Sequence, residues 1–355
     1  MVFDLYLRLI NMEQEFSFKI LIKTNNKKYT MDIHKDIFFI TAIDRNTELR
    51  FILTVENISY ESKKYIAKEL YEKGNIEVTF TDRNTQKNIN KVLFVSKTLQ
   101  NKDFYKEYFK HPIIIGHRGS GADNYNKKNN IFADITENTI DSFNNAHKLN
   151  VDWIEFDVQL TKDKILVIYH DFNFNGIPVN ELNFFEIKEK MKNICTLEDV
   201  FKKVPADIGF NIEIKYDSKH KTNISPTEFL SYIIEICQSY NRKIFFTSFD
   251  PDILVLLRNS GYPLFLLFES LNYKDIIQIN LQSAYNFVKN MGFHGLILDS
   301  NLITTEIEKM NDIIIFAYGD KCNSKKWIKK FIKYGLSGII TDDIKNINSS
   351  VFETN

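Results

Sequence analysis

From residue 113 to residue 341 the chain repeats one pattern: a short apolar run, a stretch with helical spacing, then another run. Strands alternating with helices fold around a parallel sheet, because each parallel neighbour needs a crossover of a dozen or more residues and a helix supplies it. Nine runs are present, at 113–116, 153–160, 165–169, 210–215, 244–248, 263–268, 295–299, 313–318 and 338–341. Only Thr161 to Lys164 separate the second run from the third. That gap is too short for a crossover, so the two form a hairpin and the third run is a returning arm. Eight parallel strands remain, and the stretch from residue 111 to residue 355 is close to the roughly 250 residues of an eight-stranded barrel. The expected fold is α/β: a (β/α)8 TIM-type barrel over 111–355 behind a smaller β-rich domain at 1–110.

Residues 1–110 alternate apolar and polar side chains, as at 16–22, 50–55, 75–80 and 91–95, which predicts strands and a small β-sandwich. One helix is predicted over 63–73 behind a Ser62 cap. His34 reads as a surface or packing residue. Lys+Arg and Asp+Glu both number 46, which removes the electrostatic case for nucleic acid or an acidic membrane as partner. Cys195, Cys237 and Cys322 are widely separated and odd in number, the pattern of buried thiols and not of a disulfide framework or thiolate zinc site. No transmembrane run and no secretory signal is visible, so the expected location is cytoplasmic.

In a barrel of this kind the active site lies at the C-terminal ends of the strands. Those ends are polar here: Gly116-His117-Arg118-Gly119, Glu155-Phe156-Asp157, His170-Asp171 and Glu213-Ile214-Lys215. Glu155 with Asp157, and Glu213 with Lys215, each share one face of a strand. A two-residue turn at Lys162-Asp163 would set His170 opposite Glu155. Glu155, Asp157 and Glu213 without cysteine make an all-oxygen set, suited to a hard divalent cation, Mg²⁺ or Ca²⁺. Arg118, with its planar fork, and Lys215, with its point charge, suit a phosphoryl group. Either acidic pair alone would read as a solvated strand face; their coincidence on neighbouring strands with two histidines does not.

These residues resemble the glycerophosphodiester phosphodiesterase family, whose ordered motifs His-Arg-Gly, Glu-Asn-Thr, Glu-x-Asp, His-Asp and Glu-x-Lys stand here as His117-Arg118-Gly119, Glu137-Asn138-Thr139, Glu155-Phe156-Asp157, His170-Asp171 and Glu213-Ile214-Lys215. The likeness continues through Ser248-Phe249 to Gly338–Asp342 and covers 111–345. The stretches 155–163 and 211–216 look most like the eukaryotic branch that cleaves glycerophosphocholine. The resemblance implies a barrel enzyme that splits a small-molecule glycerophosphodiester into glycerol 3-phosphate and an alcohol. It implies a divalent cation on Glu155, Asp157 and Glu213 and proton exchange by His117 and His170. Two other readings stand beside it: a lysophospholipase D on the same site, and a non-catalytic phosphodiester sensor. Relatives in that branch carry varied N-terminal modules, some carbohydrate-binding, so a protein or carbohydrate partner is expected of residues 1–110.

Thr136 reads as a helix N-cap, which leaves Glu137 at the barrel mouth either to orient Arg118 and bind substrate or to favour the helix dipole. The 119–135 stretch is long for a barrel connection, as a lid or an insertion would be. Ser248, Phe249, Glu269 and Tyr318 fall at strand ends where the alcohol would sit. Glu269 beside aromatic rings suits a choline cation. His111, His147, His220 and His294 have no motif around them and read as structural.

Overall fold

The computed structural model describes the chain apart from residues 1, 10–15, 24–27, 34–36, 45, 56–57, 74–75, 83, 97–108, 110–111, 124–133, 217–223, 259, 270–275 and 353–355. His34, His111, His220 and most of the 119–135 loop therefore lie outside the described residues. Two compact units are distinguished, Met1–Gln100 with Asn290–Gly292 and, for the second, Asn101–Lys289 with Phe293–Asn355.

The first unit is β-rich: nine strands are paired antiparallel in one sheet. The end strands of its pairing path, Lys28–Ile33 and Ile37–Asp44, are neighbours in sequence. Four Cα steps span at most about 15 Å, whereas eight strands laid flat would span about 34 Å, so the sheet curls back on itself. The predicted helix begins later than expected, at Ala67–Lys73. Tyr65–Ile66 pairs with Glu48 and Leu49 as a short strand, and Ser62 is not a cap: its Oγ accepts from the Phe51 N–H at 3.0 Å and donates to the Lys63 carbonyl at 2.7 Å. The aromatic and β-branched residues at 65–66 extend the sheet before the helix can start.

The second unit is a closed barrel of eight parallel strands: Ile113–Gly116, Trp153–Leu160, Gly209–Ile214, Ile244–Ser248, Leu264–Phe268, Gly295–Asp299, Ile314–Tyr318 and Gly338–Thr341. Each pairs with the next, and the eighth pairs with the first, Thr341 opposite Gly116. α-Helices follow most strands, while 3₁₀ turns, Thr305–Met310 and Ser349–Phe352, follow the sixth and eighth. Strands covered on both faces are buried along their length: seven of the eight residues of Trp153–Leu160 are buried, the polar Glu155, Asp157 and Gln159 among them. Phe109 closes the lower core, its ring 5.4–5.8 Å from those of Trp153, Phe245, Phe265 and Phe316. All three cysteines are buried thiols.

The hairpin after the second strand differs from expectation in register. Val158 faces Ile168 and Leu160 faces Leu166, and the turn holds three residues with Lys164 at φ +63°. A turn that ends on a left-handed residue adds one position and shifts the pairing by one. His170 therefore lies past the ladder and is not opposite Glu155.

Candidate active site

Side chains on a strand alternate, so the inward residues of the lower core fix which residues face inward at the mouth. Ile115, Trp153 and Ile340 are in that core. Two steps on from them stand His117, Glu155 and then Asp157, and Asp342. On the third strand Asn211 accepts from Thr247 Oγ1 at 3.0 Å, and Glu213 and Lys215 follow on its face. The eighth, first, second and third strands are contiguous, so these groups fill one half of the mouth.

Oxygens of Glu155, Asp157 and Glu213 all lie within 4.8 Å of one another. Glu155 Oε2 accepts the Arg118 backbone N–H at 2.8 Å, and Asp157 Oδ2 accepts from Asn138 Nδ2 at 2.9 Å. The other oxygen of each, Glu155 Oε1 and Asp157 Oδ1, is buried without a hydrogen-bond donor. Burial, with the Asp157 charge beside it, pushes the Glu155 carboxyl well above the usual range. Burial acts on Asp157 in the same direction, but Lys215, His170 and Arg118 outweigh it and hold that group below the range. Lys215 Nζ donates to Glu213 Oε1 at 3.0 Å and stands 3.4 Å from Asp157 Oδ1, and these acids favour its charged form despite burial. Two buried orphan oxygens and a third carboxylate at close range fit a hard divalent cation.

His117 and His170 each have a carboxylate on Nδ1. His117 Nδ1 lies 2.6 Å from Asp342 Oδ1, and its Nε2 is 3.9 Å from Glu155 Oε2. Burial would depress His117, but the Asp342 charge and hydrogen bond dominate and raise it to about 9. His170 Nδ1 lies 2.7 Å from Asp171 Oδ1. Gln159 holds the backbone around His170: its Nε2 donates to the Tyr169 carbonyl at 2.7 Å and to the Asp171 carbonyl at 2.8 Å.

Arg118 sits in a left-handed conformation, φ +48°, in the turn between the first strand and its helix. A Cβ on Gly116 would lie 2.0 Å from the Gly119 carbonyl oxygen, so only glycine permits that turn. Arg118 Nη1 donates to Glu137 Oε1 at 2.7 Å, and Nε, buried without an acceptor in hydrogen-bond range, stands 3.9 Å from Asp157 Oδ2. Glu137 therefore partners Arg118. The helix begins at Ile140 and its cap is Thr139, which accepts from the Ser142 N–H at 3.2 Å, not Thr136.

Sequence reasoning gave Asn138, Gln159, Asn323 and Asp342 no role. Asn323 Oδ1 accepts from the Asp342 N–H at 2.8 Å and from Thr341 Oγ1 at 2.7 Å, which fixes Asp342 under His117. The parity of the eighth strand was the available signal for Asp342. Tyr318 is not among the acids: it ends the seventh strand, and its hydroxyl donates to Glu269 Oε2 at 3.4 Å. His147 bonds Asp207, and His294 Nδ1 accepts the Leu264 N–H, structural positions both.

Residues 117–346 match the glycerophosphoryl diester phosphodiesterase family. A glycerophosphodiester phosphodiesterase of Arabidopsis thaliana is 30% identical over 287 residues, covering 67% of this chain and 78% of the relative. A glycerophosphocholine phosphodiesterase of Homo sapiens is 27% identical over 346 residues; they cover 76% of this chain, which spans about half of that relative, 51%. Among solved structures, the glycerophosphodiester phosphodiesterase from Thermotoga maritima matches with a TM-score of 0.51 at 26% identity, over 66% of this chain and 96% of that one.

Proposed function

The chain belongs to the glycerophosphoryl diester phosphodiesterase family, and from that membership we propose a divalent-cation-dependent hydrolysis of glycerophosphodiesters, glycerophosphocholine among them, to glycerol 3-phosphate and the free alcohol. The observation that carries this reading is the pair of imidazoles, each with a carboxylate on Nδ1, at the same barrel mouth as three converging acids.

A carboxylate on Nδ1 fixes the tautomer and leaves Nε2 as the reacting atom of both His117 and His170. One Nε2 accepts the proton of the attacking hydroxyl, which belongs to water or to the neighbouring glycerol carbon, as the new P–O bond forms. The other delivers a proton to the alcohol oxygen as its P–O bond breaks. Where the glycerol hydroxyl attacks, the product is a cyclic phosphate, and water then opens it in a second displacement, with the two imidazoles exchanging roles, to give glycerol 3-phosphate. Arg118, held by Glu137, and Lys215, held by Glu213, face the phosphoryl oxygens and offset their growing charge. Glu155, Asp157 and Glu213 would hold the cation, Mg²⁺ or Ca²⁺. When bound, it supplies Lewis-acid polarisation of the phosphoryl group.

The test is release of glycerol 3-phosphate and choline from glycerophosphocholine with added Mg²⁺ or Ca²⁺. The expected result is turnover lost with chelator and lowered about 10²–10⁴-fold in His117→Ala. No turnover of the choline, ethanolamine or inositol diester would remove the catalytic reading.

A further inference from the structure

The four strands that carry the acids and histidines account for half of the barrel mouth. The other half is built by the fourth to seventh strands, and the same parity identifies its inward residues. Phe245, Leu267 and Phe316 belong to the inward core. Continuing each strand by twos from them leads to Phe249, Glu269 and Tyr318. Phe249 and Tyr318 pack directly on that core, edge to face with ring centroids 6.2 Å apart, and form an aromatic floor. Glu269 stands beside it with the Tyr318 hydroxyl on its Oε2. Gln278 Nε2 donates to the carbonyls of Phe249 and Leu267, at 2.8 and 3.3 Å, and so ties the Phe249 turn to the Glu269 strand. Asp299, opposite Tyr318 in the ladder, adds a second carboxylate to this half.

We propose that Phe249, Glu269 and Tyr318 form the subsite for the leaving alcohol, and that it selects a cationic amino alcohol of the choline or ethanolamine class. The assignment rests on the phosphodiesterase reading above. A rigid aromatic floor with a carboxylate at its edge attracts an ammonium head both through the ring quadrupoles and by charge. The phosphoryl group needs the opposite environment, and Arg118 and Lys215 stand in the other half of the mouth. A zwitterionic diester thus matches a mouth divided by charge. The alternative aromatic seat is Phe172, 40% exposed, but the Lys215 ammonium already lies 5.6 Å from its ring centroid, so a second cation there would be repelled. An uncharged alcohol can gain only a hydrogen bond from Glu269, which glutamine also offers, and none of the charge attraction.

The experiment compares kcat/KM for glycerophosphocholine with that for glycerophosphoglycerol, whose leaving alcohol is neutral. Glu269→Gln keeps shape and hydrogen bonding while removing the charge, and Tyr318→Leu removes one ring. The choline-to-glycerol ratio is expected to fall about tenfold in Glu269→Gln, through KM for the choline ester, and to fall also in Tyr318→Leu. Tetramethylammonium should inhibit the wild type competitively, with an inhibition constant that rises in Glu269→Gln. A ratio unchanged in Glu269→Gln, with wild-type turnover intact, overturns the headgroup assignment alone. Absence of wild-type turnover of both diesters overturns the phosphodiesterase reading and this assignment with it.

Discussion

Asp342 is held on three sides: it accepts the Ala122 N–H at 2.9 Å, its own N–H is bound by Asn323, and its Oδ1 meets His117 Nδ1. Burial opposes its charge, but His117 and these donors keep its carboxyl below the usual range. The two shifts define a window in the metal-free protein. His117, raised from 6.5 to about 9, adds stability in full below its unfolded value and loses it as pH rises through about 9. Asp342, lowered from 3.8, adds stability above that value and loses it as pH falls. Asp342→Asn should therefore melt several degrees below the wild type between about pH 4.5 and 6.5, with the gap closing toward pH 9. Thermal melts in chelator across that range check it, and a pH-independent gap counts against the pairing. Sequence could not show the partnership, because 225 positions separate the two residues and only barrel closure, Thr341 beside Gly116, makes them neighbours.

At the level of elements, the link from the first strand to its helix decides where Arg118 and His117 point. Gly119 sits at φ +94°, and a Cβ there would come within 2.5 Å of Ser142 Oγ and 2.8 Å of the Phe143 ring. Both neighbours are buried in the helix that follows, so neither can move away cheaply. Gly119→Ala should cost about 1–3 kcal/mol, through positive φ and collision together, and should lower turnover by displacing Arg118. Denaturant midpoints and kcat measure this, and a wild-type midpoint would show the turn is not strained. The strands themselves were legible from sequence: 113–116, 153–160, 244–248, 295–299 and 338–341 coincide with those observed. Side-chain alternation is fixed by covalent geometry, so Glu155 with Asp157 and Glu213 with Lys215 fell on the right face. The turns were not legible. Lys164 in a left-handed conformation carries no sequence mark, and it moved His170 off the ladder; Tyr65 and Ile66 suit a helix face and a strand equally, and the Glu48–Val55 strand decided between them.

Over the whole barrel, the apolar lower end and the charged mouth pull stability in opposite directions. Phe109, Trp153, Phe245, Phe265 and Phe316 form a continuous aromatic plug below. Above it, Glu155 and Asp157 are buried side by side, each with an oxygen lacking a donor. A carboxyl whose folded value lies above its unfolded value destabilises increasingly as pH rises between the two, so at pH 8 the metal-free protein carries most of the cost of an ionised Glu155. A cation held by Glu155, Asp157 and Glu213 would remove that cost, and the energy released would appear as affinity for the ion. Mg²⁺ or Ca²⁺ should therefore raise the melting temperature of the wild type at pH 8. Glu155→Gln should melt higher than the metal-free wild type, by about 1–3 kcal/mol of stability, because it removes the repulsion and lets an amide face Asp157. The same variant should lose both the response to added cation and the turnover of glycerophosphocholine. Calorimetry of both proteins with chelator and with cation decides the matter. A Glu155→Gln protein less stable than the metal-free wild type at pH 8 would mean that Glu155 stabilises the empty barrel, and that the three acids are held together by their lysine and arginine partners without need of an ion.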